Sequence, residues 1–320
     1  MTPAVSVVIK AYNHAPYVAQ SIQSVLDQSF QDFEIVVTDD GSTDGTPDVI
    51  RGFSDPRIRF ERFETNRGIG VAMNATVARA HGELIAILNS DDYALPGRLE
   101  TQVAFLGEHP NVAAVFGAPR QVGEAGEPAT PYETFPQPFA GISVSRAGWL
   151  RHFFFGSNCL CAPTAMIRRA AYVDIGMDDE RFTNLGDFDR WIRLLEKYEI
   201  YVMTQELTAF RVRANAANMS APRRDSMLRG AFEAFEVLKR YRGFSRELLL
   251  EIFAHDVVAH GVDTSRPTDI WLAELALTAG TPSHRLFALD TIFDAARGER
   301  DFRQLRELTG TVNAFNLPEA

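Results

Sequence analysis

Short apolar runs, rich in β-branched residues, alternate with helix-length segments through the first half of the 320-residue chain. Residues 5–9, 34–38 and 84–88 have the composition of buried strands, and segments 17–28 and 70–80 carry apolar residues at helical spacing. Strands that alternate with helices pair in parallel, because each helix returns the chain to the same end of the sheet. The pattern predicts an α/β fold with a Rossmann-like, mostly parallel central sheet flanked by helices.

Helical patterns dominate from about residue 223, and strand patterns nearly vanish there. We therefore predict an α/β domain over residues 1–222 and an all-helical C-terminal region over 223–320. Apolar stripes in that region lack clustered catalytic groups, so we expect it either to mediate homo-oligomer assembly or to pack only against its own α/β domain. Segment 119–138, rich in Pro, Gly and Glu, is predicted to be a long loop at a substrate site.

The net charge of −10 argues against a nucleic-acid partner, because phosphate-backbone binders concentrate Lys and Arg on one face. The N-terminus lacks the basic flank of a signal peptide, and no apolar run reaches the roughly 20 residues that cross a bilayer. Cys159 and Cys161 are separated by one residue, which is poor geometry for a disulfide within a strand. We therefore expect a soluble cytoplasmic protein that associates with a membrane, if at all, peripherally at its inner face.

Two aspartates, Asp39 and Asp40, end the second predicted strand and begin a turn rich in Gly, Ser and Thr. Ligands of open α/β sheets bind at the carboxyl ends of the strands, where a carboxylate accepts ribose hydroxyls or the imino N–H of a pyrimidine. The alternative is a turn in which these side chains only satisfy backbone amides. An EF-hand calcium loop is excluded, because Arg51 occupies the position of its bidentate glutamate.

A second acidic group, Asp91 and Asp92, follows Asn89 and Ser90 directly after the apolar strand at 84–88. Adjacent carboxylates repel each other, and a hard divalent cation neutralises them. Such a cation bridges two phosphates of a nucleotide diphosphate and stabilises the charge of a leaving group. The alternative is a solvated acidic turn.

The third group, Asp187 and Asp189, lies where loop composition changes to an amphipathic helix pattern. Carboxylates in a first helical turn cap exposed amides and complement the helix dipole. The functional alternative is a general base that removes a proton from an attacking hydroxyl.

In order along the chain, these motifs resemble the inverting GT-A glycosyltransferases of glycosyltransferase family 2. The resemblance rests on the segments Lys10-Ala11-Tyr12-Asn13, 21–28 and 39–46, on Asn66-Arg67-Gly68, Gly82-Glu83 and the Asp91-Asp92 pair, and it spans residues 4–220. It implies a GT-A catalytic domain that uses Mn²⁺ or Mg²⁺. That domain would transfer a sugar from a nucleotide diphosphate donor, UDP- or dTDP-linked, to a hydroxyl of a glycan or lipid-linked acceptor, as in bacterial-type surface polysaccharide or glycan assembly.

The resemblance also assigns roles to individual residues. Tyr12 would stack on the nucleobase, Asp40 would contact its imino edge, and Asp187 would be the catalytic base. Asp91 and Asp92 would serve ribose and metal, and Arg211 and Arg213 would neutralise the diphosphate near the acceptor. The full set expected to bind the nucleotide is Ala11, Tyr12, Asn13, Asp39, Asp40, Asn66, Asn89 and Asp91.

Three positions depart from the family pattern. Asn89 stands where many relatives carry the first aspartate of the metal motif, and Gly186 replaces a frequent glutamate before Asp187. Arg213 stands where many relatives have a histidine, which leaves a histidine metal ligand without a counterpart at that position.

Two other classes of function stay open. A sugar-phosphate nucleotidyltransferase uses the same sheet and metal, but its glycine-rich phosphate loop is missing, since segment 10–16 contains no glycine. A non-catalytic nucleotide-binding or scaffold module is the other alternative, and retention of Asp40, Asp91, Asp92 and Asp187 argues against it.

Overall fold

The structure, a computed structural model, describes residues 2–129, 144–213, 218 and 224–295. Within these residues, eight strands form one sheet in the order β3-β2-β1-β4-β7-β6-β8-β5. The strands are β1 Val5–Ala11, β2 Phe33–Asp39, β3 Ile58–Arg62, β4 Leu84–Asn89, β5 Tyr93–Ala94, β6 Val112–Val122, β7 Ala165–Arg168 and β8 Glu199–Arg211. The first four strands of that order are parallel, β7 is antiparallel to both of its neighbours, and β6 and β8 pair in parallel.

Eleven α-helices occur among the described residues. They are α1 Val18–Leu26, α2 Thr46–Arg51, α3 Ile69–Ala78, α4 Arg98–Glu108, α5 Arg146–Phe155, α6 Arg169–Asp174, α7 Gly186–Lys197, α8 Arg224–Leu238, α9 Arg246–Ala259, α10 Thr268–Thr278 and α11 Pro282–Ala295. The fold is α/β with a mostly parallel sheet flanked by helices, followed by a helical region, as the sequence pattern predicts.

Strand β1 lies between β2 and β4, and its register fixes which residues reach the edge of the sheet together. Ala11 pairs with Asp39 of β2, and Lys10 pairs with Asn89 of β4. After β1 the chain proceeds outward to β2 and β3, whereas β4 lies on the other side of β1. The carboxyl ends of β1 and β4 therefore flank a topological switch point, where ligands bind in open α/β sheets.

One face of the sheet is sealed by an apolar core. Val7, Ile9 and Leu88 project from the strands into this core, and Ile22 of α1 and Leu99 of α4 cover them. Each such side chain contributes about 1.5–3 kcal/mol when fully buried. This packing holds the strands rigidly enough to position the polar residues that follow them.

The described residues divide into two compact units, one within the ranges 1–146 and 158–223 and the other within 147–157 and 224–320. The second unit has an aromatic core, in which Phe154 lies 4.7 Å from Phe253 and 5.0 Å from Tyr241 between ring centroids. The Tyr241 hydroxyl donates to the Leu150 carbonyl at 2.7 Å. Most of α5 thus groups with the C-terminal helices, although its sequence lies inside the predicted 1–222 domain. The boundary near residue 222 stays a prediction.

Segment 119–138 begins differently from the loop that its composition predicts. Strand β6 continues to Val122, because residues 118–122 pair with β8 beyond a bulge. Residues 130–138 lie outside the described part of the chain. Cys159 and Cys161 are buried free thiols. Among the described residues, no helix combines the length and apolar composition that a membrane span requires.

Gly41 allows a test of the close contact between the loops after β2 and β3. Its φ is +70°, and a Cβ atom there would lie 2.4 Å from the backbone carbon of Thr65. Gly97 has a similar φ of +78°, but its Cβ would meet nothing within 4 Å. Both alanine variants carry the left-handed strain of about 1–2 kcal/mol. We expect Gly41→Ala to cost about 1–3 kcal/mol more, because backbone must shift.

The measurement is urea denaturation of both variants and the wild-type protein. Equal losses of unfolding free energy in Gly41→Ala and Gly97→Ala would contradict the close approach.

Candidate active site

The site lies at the switch point between β1 and β4. Lys10 Nζ donates a hydrogen bond to Asn89 Oδ1 at 2.8 Å, which joins the ends of the two strands. Both side chains keep partial exposure to solvent, unlike the apolar residues that precede them. Burial and then Arg190 lower the pKa of Lys10. Asp91, Asp187 and Asp92 all lie near enough to oppose that shift. Two acidic groups almost 100 residues apart in sequence therefore share one site.

Asp92 is the most buried of these carboxylates, with 2% exposure. Its Oδ1 accepts the backbone N–H of Arg211 at 2.8 Å, and its Oδ2 accepts the Asn89 side-chain amide at 2.8 Å. Burial, and then the neighbouring Asp91 carboxylate, raise the pKa of Asp92 well above its ordinary value. Asp91 keeps more exposure, and its Oδ2 lies 3.7 Å from His14 Nε2. The pair is thus short of positive charge.

This arrangement fits a divalent cation whose coordination is completed by the donor. Across the described residues, no three His, Cys, Asp or Glu side chains converge closely enough to hold a metal alone. Mg²⁺ usually takes one or two carboxylates together with substrate phosphates and water. Each Asp92 oxygen accepts one protein hydrogen bond and keeps a lone pair free for a cation. Asp91 and Asp92 therefore have the chemistry to hold Mn²⁺ or Mg²⁺ beside a diphosphate.

Asp187 and Asp189 have different surroundings, although both lie in the first turn of α7. Asp189 is fully buried, and its Oδ2 accepts from Arg193 Nε at 2.8 Å. Asp187 is partly exposed, and it accepts from Asn158 Nδ2 at 3.2 Å and from the Phe188 N–H at 2.8 Å. Burial raises the pKa of Asp187, opposed by Arg190 and Lys10. Asp187 therefore has the exposure that a catalytic base requires, and that role stays a prediction. Asp189 is committed to its ion pair with Arg193.

The loops after β1 and β2 form the side of the site where the sequence predicts nucleotide binding. Tyr12 is 42% exposed, an unusual position for a large aromatic ring. The carbonyl of Ala11 accepts the Asp40 N–H at 2.8 Å. Asn13, with φ of 53°, joins the two loops, since its N–H donates to Ser42 Oγ at 2.9 Å. An exposed ring on a loop held this firmly is suited to stacking.

Asp40 organises the loop that follows β3. Its two carboxylate oxygens accept the backbone N–H groups of Arg67 at 2.7 Å and Gly68 at 3.0 Å. Burial raises the pKa of Asp40, and these two hydrogen bonds oppose the shift. Asn66 directly precedes the two residues that Asp40 binds, and its side chain is exposed. The contact of Asp40 with a base edge stays a prediction.

Asp39 does not fit the nucleotide contact that the sequence predicts. Its side chain is fully buried, and it accepts from the Ser42 N–H at 3.0 Å and from the Ser42 hydroxyl. Arg62 Nε lies 3.4 Å from its Oδ2. Asp39 therefore carries out the alternative role, which is to satisfy a turn.

Arg211 likewise differs from its predicted role as a diphosphate ligand, because its guanidinium is committed to the protein. Nε donates to the Asp91 carbonyl at 2.8 Å, and Nη1 donates to the carbonyls of Gly123, at 3.1 Å, and Glu124. Nη2 donates to Gln20 Oε1 at 2.6 Å. The residue is 2% exposed. Its position holds the backbone of the acidic pair in place.

Arg213 is the arginine of this segment that remains near the site surface. Its Nη1 lies 2.9 Å from His14 Nε2, and its guanidinium carbon lies 5.5 Å from the centroid of the Tyr17 ring. Nε of Arg213 is buried without a hydrogen-bond partner among the described residues. Burial, with Arg213 and Lys10 nearby, lowers the pKa of His14 despite Asp91. His14 is thus neutral, and it lies beside Arg213, the residue that stands where many relatives have a histidine.

Sequence reasoning did not identify Lys10, His14 and Arg190 as members of the site. Arg190 binds Asp178 with Nε at 2.8 Å and with Nη2, and it is also the strongest opposing influence on the raised pKa of Asp187. Lys10 carries a visible signal, because it is the only charged residue in the strand Val5–Ala11. A charge at the end of a buried strand indicates an environment that accommodates it.

Comparison with known proteins agrees with this architecture. Residues 6–176, more than half of the chain, match the family described as Glycosyl transferase family 2. The chain therefore belongs to glycosyltransferase family 2, and its α/β unit has the GT-A fold.

One relative supports the same class, and two solved structures support the same fold. TuaG of Bacillus subtilis strain 168, named as a glycosyltransferase of teichuronic acid biosynthesis, is 33% identical over 217 residues, which cover 67% of this chain and 81% of TuaG. A crystal structure of S. aureus TarS 1-349 with UDP-GlcNAc has a TM-score of 0.56 at 20% identity, covering 88% of this chain and 83% of that one. The mannosyltransferase PcManGT of Pyrobaculum calidifontis, in complex with GDP-Man and Mn²⁺, has a TM-score of 0.55 at 19% identity, covering 99% and 82%.

The structural role of Arg211 is testable by Arg211→Gln. We expect a loss of about 3 kcal/mol or more in unfolding free energy, because the carbonyls of Asp91, Gly123 and Glu124 lose the donors that the buried guanidinium supplies. Arg120→Gln is the matched control, since Arg120 pairs with Glu206 at 2.7 Å where both side chains are about half exposed. Such a surface pair contributes less than about 1 kcal/mol.

Thermal and chemical denaturation of both variants provide the measurement. If Arg211→Gln is as stable as Arg120→Gln, then Arg211 is free to serve as a ligand after all.

Proposed function

We propose that this protein transfers a sugar from a nucleotide diphosphate donor, UDP- or dTDP-linked, to an acceptor hydroxyl with inversion at the anomeric carbon. One observation carries the proposal: Asp187, a partly exposed carboxylate with a raised pKa, shares the switch-point site with Asp91 and Asp92. A base and a diphosphate-binding pair are the two groups that a single displacement requires.

The proposed displacement proceeds in one step. The acceptor oxygen forms a bond to the anomeric carbon while its proton passes to a carboxylate oxygen of Asp187. The bond between the anomeric carbon and the β-phosphate oxygen breaks, and the nucleoside diphosphate leaves with the electron pair. Attack opposite the leaving group inverts the anomeric centre. The Asn158 amide, 3.2 Å from Asp187 Oδ2, holds the carboxylate in position.

The donor is proposed to lie across the loops after β1, β2 and β4. Tyr12 would stack on the base, Asp40 would face its imino edge, and Asn66, Asn13 and Asn89 would line the ribose and phosphates. Asp91 and Asp92 would hold Mn²⁺ or Mg²⁺. When bound, such a cation neutralises charge on the departing diphosphate. Arg213, rather than Arg211, would add a further positive charge on the acceptor side.

The biological setting is also a proposal. TuaG is named for teichuronic acid biosynthesis, which supports a glycan or lipid-linked acceptor in surface polysaccharide or glycan assembly. The buried free thiols Cys159 and Cys161 support a cytoplasmic setting, at the inner face of the membrane if the acceptor is lipid-linked. Exposed apolar side chains on α8, such as Phe232 at 58% exposure, support self-association through residues 223–320. Light scattering of the full chain and of Phe232→Glu tests that association.

A screen of nucleotide sugars with Mn²⁺, Mg²⁺ or chelator tests the donor class. Bound ligand raises the melting temperature. Incubation of the stabilising donor with water or acceptor then separates the classes of function. A glycosyltransferase releases nucleoside diphosphate in that incubation. A nucleotidyltransferase instead converts the donor to nucleoside triphosphate and sugar 1-phosphate when pyrophosphate is added, and a scaffold module does neither.

The acidic pair should make binding of a nucleoside diphosphate depend on a divalent cation. Without the cation, the carboxylates of Asp91 and Asp92 repel the diphosphate. Asp91→Asn and Asp92→Asn should both weaken binding in Mn²⁺, and the chelator should weaken binding to the wild-type protein. Isothermal titration calorimetry measures each affinity. Equal affinity with and without the cation would contradict the metal assignment.

Asp187→Asn should lower turnover by about 10²–10⁴-fold, because the amide cannot accept the acceptor proton. Burial raises the folded-state pKa of Asp187, so its ionised form is disfavoured by folding at neutral pH. The neutral variant should therefore keep or slightly raise the melting temperature. For the same reason, kcat/KM of the wild-type enzyme should fall, as pH decreases, at a pH above the ordinary aspartate pKa.

Asp189→Asn is the control in the same helical turn. Its ion pair with Arg193 is buried, so this variant should lose stability while its folded fraction remains active. If Asp187→Asn keeps full activity and Asp189→Asn abolishes it, the assignment of the base is wrong.

A further inference from the structure

Lys10 differs from the other lysines of this chain. The sequence contains three lysines, Lys10, Lys197 and Lys239. Lys197 pairs with Asp174 at 2.9 Å, and Lys239 pairs with Glu236 at 3.2 Å. Lys10 instead is the last but one residue of β1, at the strand end where the donor site is proposed.

The Lys10 ammonium is incompletely partnered within the protein. Its Nζ donates to the neutral Asn89 amide oxygen at 2.8 Å, and no carboxylate of the described residues lies within the 4.0 Å of an ion pair. An ammonium carries three N–H donors. Desolvation of a cation is costly unless opposite charge or hydrogen bonds compensate it. The ammonium therefore has donors available for an anion.

The groups that face Lys10 define where that anion would lie. Asp91 and Asp92 come from the β4 edge, Asp187 and Arg190 from α7, and His14 lies in the loop after β1. Asp92 accepts one hydrogen bond on each oxygen, from Asn89 and from the Arg211 N–H, and it forms no ion pair with Lys10. Because Lys10 keeps partial exposure, a ligand at the switch point is able to reach it.

Asn89 explains why the Lys10 ammonium remains available to an anion. A carboxylate at position 89 would lie 2.8 Å from Nζ and would pair with it directly, whereas the amide leaves the positive charge unneutralised. The combination of a lysine on β1 and an amide on β4 thus places a positive charge without an ion-pair partner near the carboxylates of Asp91, Asp92 and Asp187.

We infer that the Lys10 ammonium is a direct ligand of the donor diphosphate, at the β-phosphate that bears the sugar. This inference rests on the proposed function. The β-phosphate is the phosphate nearest the reacting carbon, and Asp91, Asp92 and the proposed base Asp187 all lie near enough to Lys10 to act on it electrostatically. Its positive charge stabilises the leaving nucleoside diphosphate. This effect would add to that of a cation at the acidic pair and would not require the cation.

The first experiment compares nucleoside diphosphates with monophosphates by calorimetry, in Mn²⁺ and in chelator. The probes are UDP with UMP, dTDP with dTMP, and GDP with GMP. Lys10→Gln should weaken binding of the preferred diphosphate about 10- to 100-fold in both conditions, the size expected for a charge-assisted hydrogen bond. Binding of the matching monophosphate should change much less, and Lys10→Arg should restore part of the affinity. Lys197→Gln is the matched control and should bind like the wild-type protein.

The second experiment needs no variant and so does not depend on the folding of Lys10→Gln. Wild-type protein is acetylated with a limiting amine-reactive reagent, and mass spectrometry follows the three lysines separately. The preferred diphosphate should protect Lys10 and leave Lys197 and Lys239 unchanged. The monophosphate at an equally saturating concentration should protect Lys10 less.

The outcomes distinguish this inference from the function on which it rests. A wild-type protein that binds none of the three diphosphates contradicts the proposed function, and the Lys10 inference falls with it. A wild-type protein that prefers the diphosphate, with Lys10→Gln keeping that preference or Lys10 remaining unprotected, overturns the inference alone. If Lys10→Gln loses equal affinity for the diphosphate and the monophosphate, then Lys10 supports the site structure in general, and the inference is overturned.

Discussion

The parallel pairing of β1 with β2 and β4 is the constraint on which the site depends. Parallel strands end at the same edge, so each strand contributes its next residues to one place. The register sets Lys10 beside Asn89 and Ala11 beside Asp39, and the loops that follow inherit that alignment. A slip of one residue in β1 would turn Lys10 into the apolar core and Ile9 into the site.

The second constraint is electrostatic. Asp92 and Asp187 are partly desolvated carboxylates, and burial raises the pKa of each. Arg190 and Lys10 oppose that shift at Asp187, and Arg211 supports the acidic pair through hydrogen bonds rather than through an ion pair. The protein thus keeps a carboxylate basic enough to accept a proton and leaves the acidic pair short of positive charge. The proposed diphosphate donor with a divalent cation would supply charges of both signs at that point.

Much of this architecture can be predicted from the sequence, because it follows from local patterns. The alternation of strands and helices predicts the parallel sheet, and the shared edge predicts that Tyr12, Asp40 and Asp91 come together. The alternatives for Asp187 and Asp189 cannot be separated by sequence alone. Two residues along a helix are about 200° apart, so one of them faces the site and the other faces the interior. Which of them faces the site depends on how α7 packs.

Long-range contacts account for the other differences. Arg211 binds the Asp91 carbonyl 120 residues away, and no local pattern distinguishes it from Arg213. Asp39 and Asp40 are adjacent, yet Asp39 points to the Ser42 turn and Asp40 holds the loop at Arg67. The grouping of α5 with the C-terminal helices depends on the aromatic contacts of Phe154, which join residues about 100 positions apart. Such partners become visible only in the folded chain.

A crystal structure of the protein with its preferred nucleoside diphosphate and Mn²⁺ tests the central claim most directly. The account predicts anomalous scattering from manganese beside Asp91 and Asp92, the base against Tyr12, and the β-phosphate within hydrogen-bond distance of Lys10 Nζ. Asp187 should face the space left by the sugar. A nucleotide bound away from the carboxyl ends of β1 and β4, or a cation held by other residues, would contradict the account.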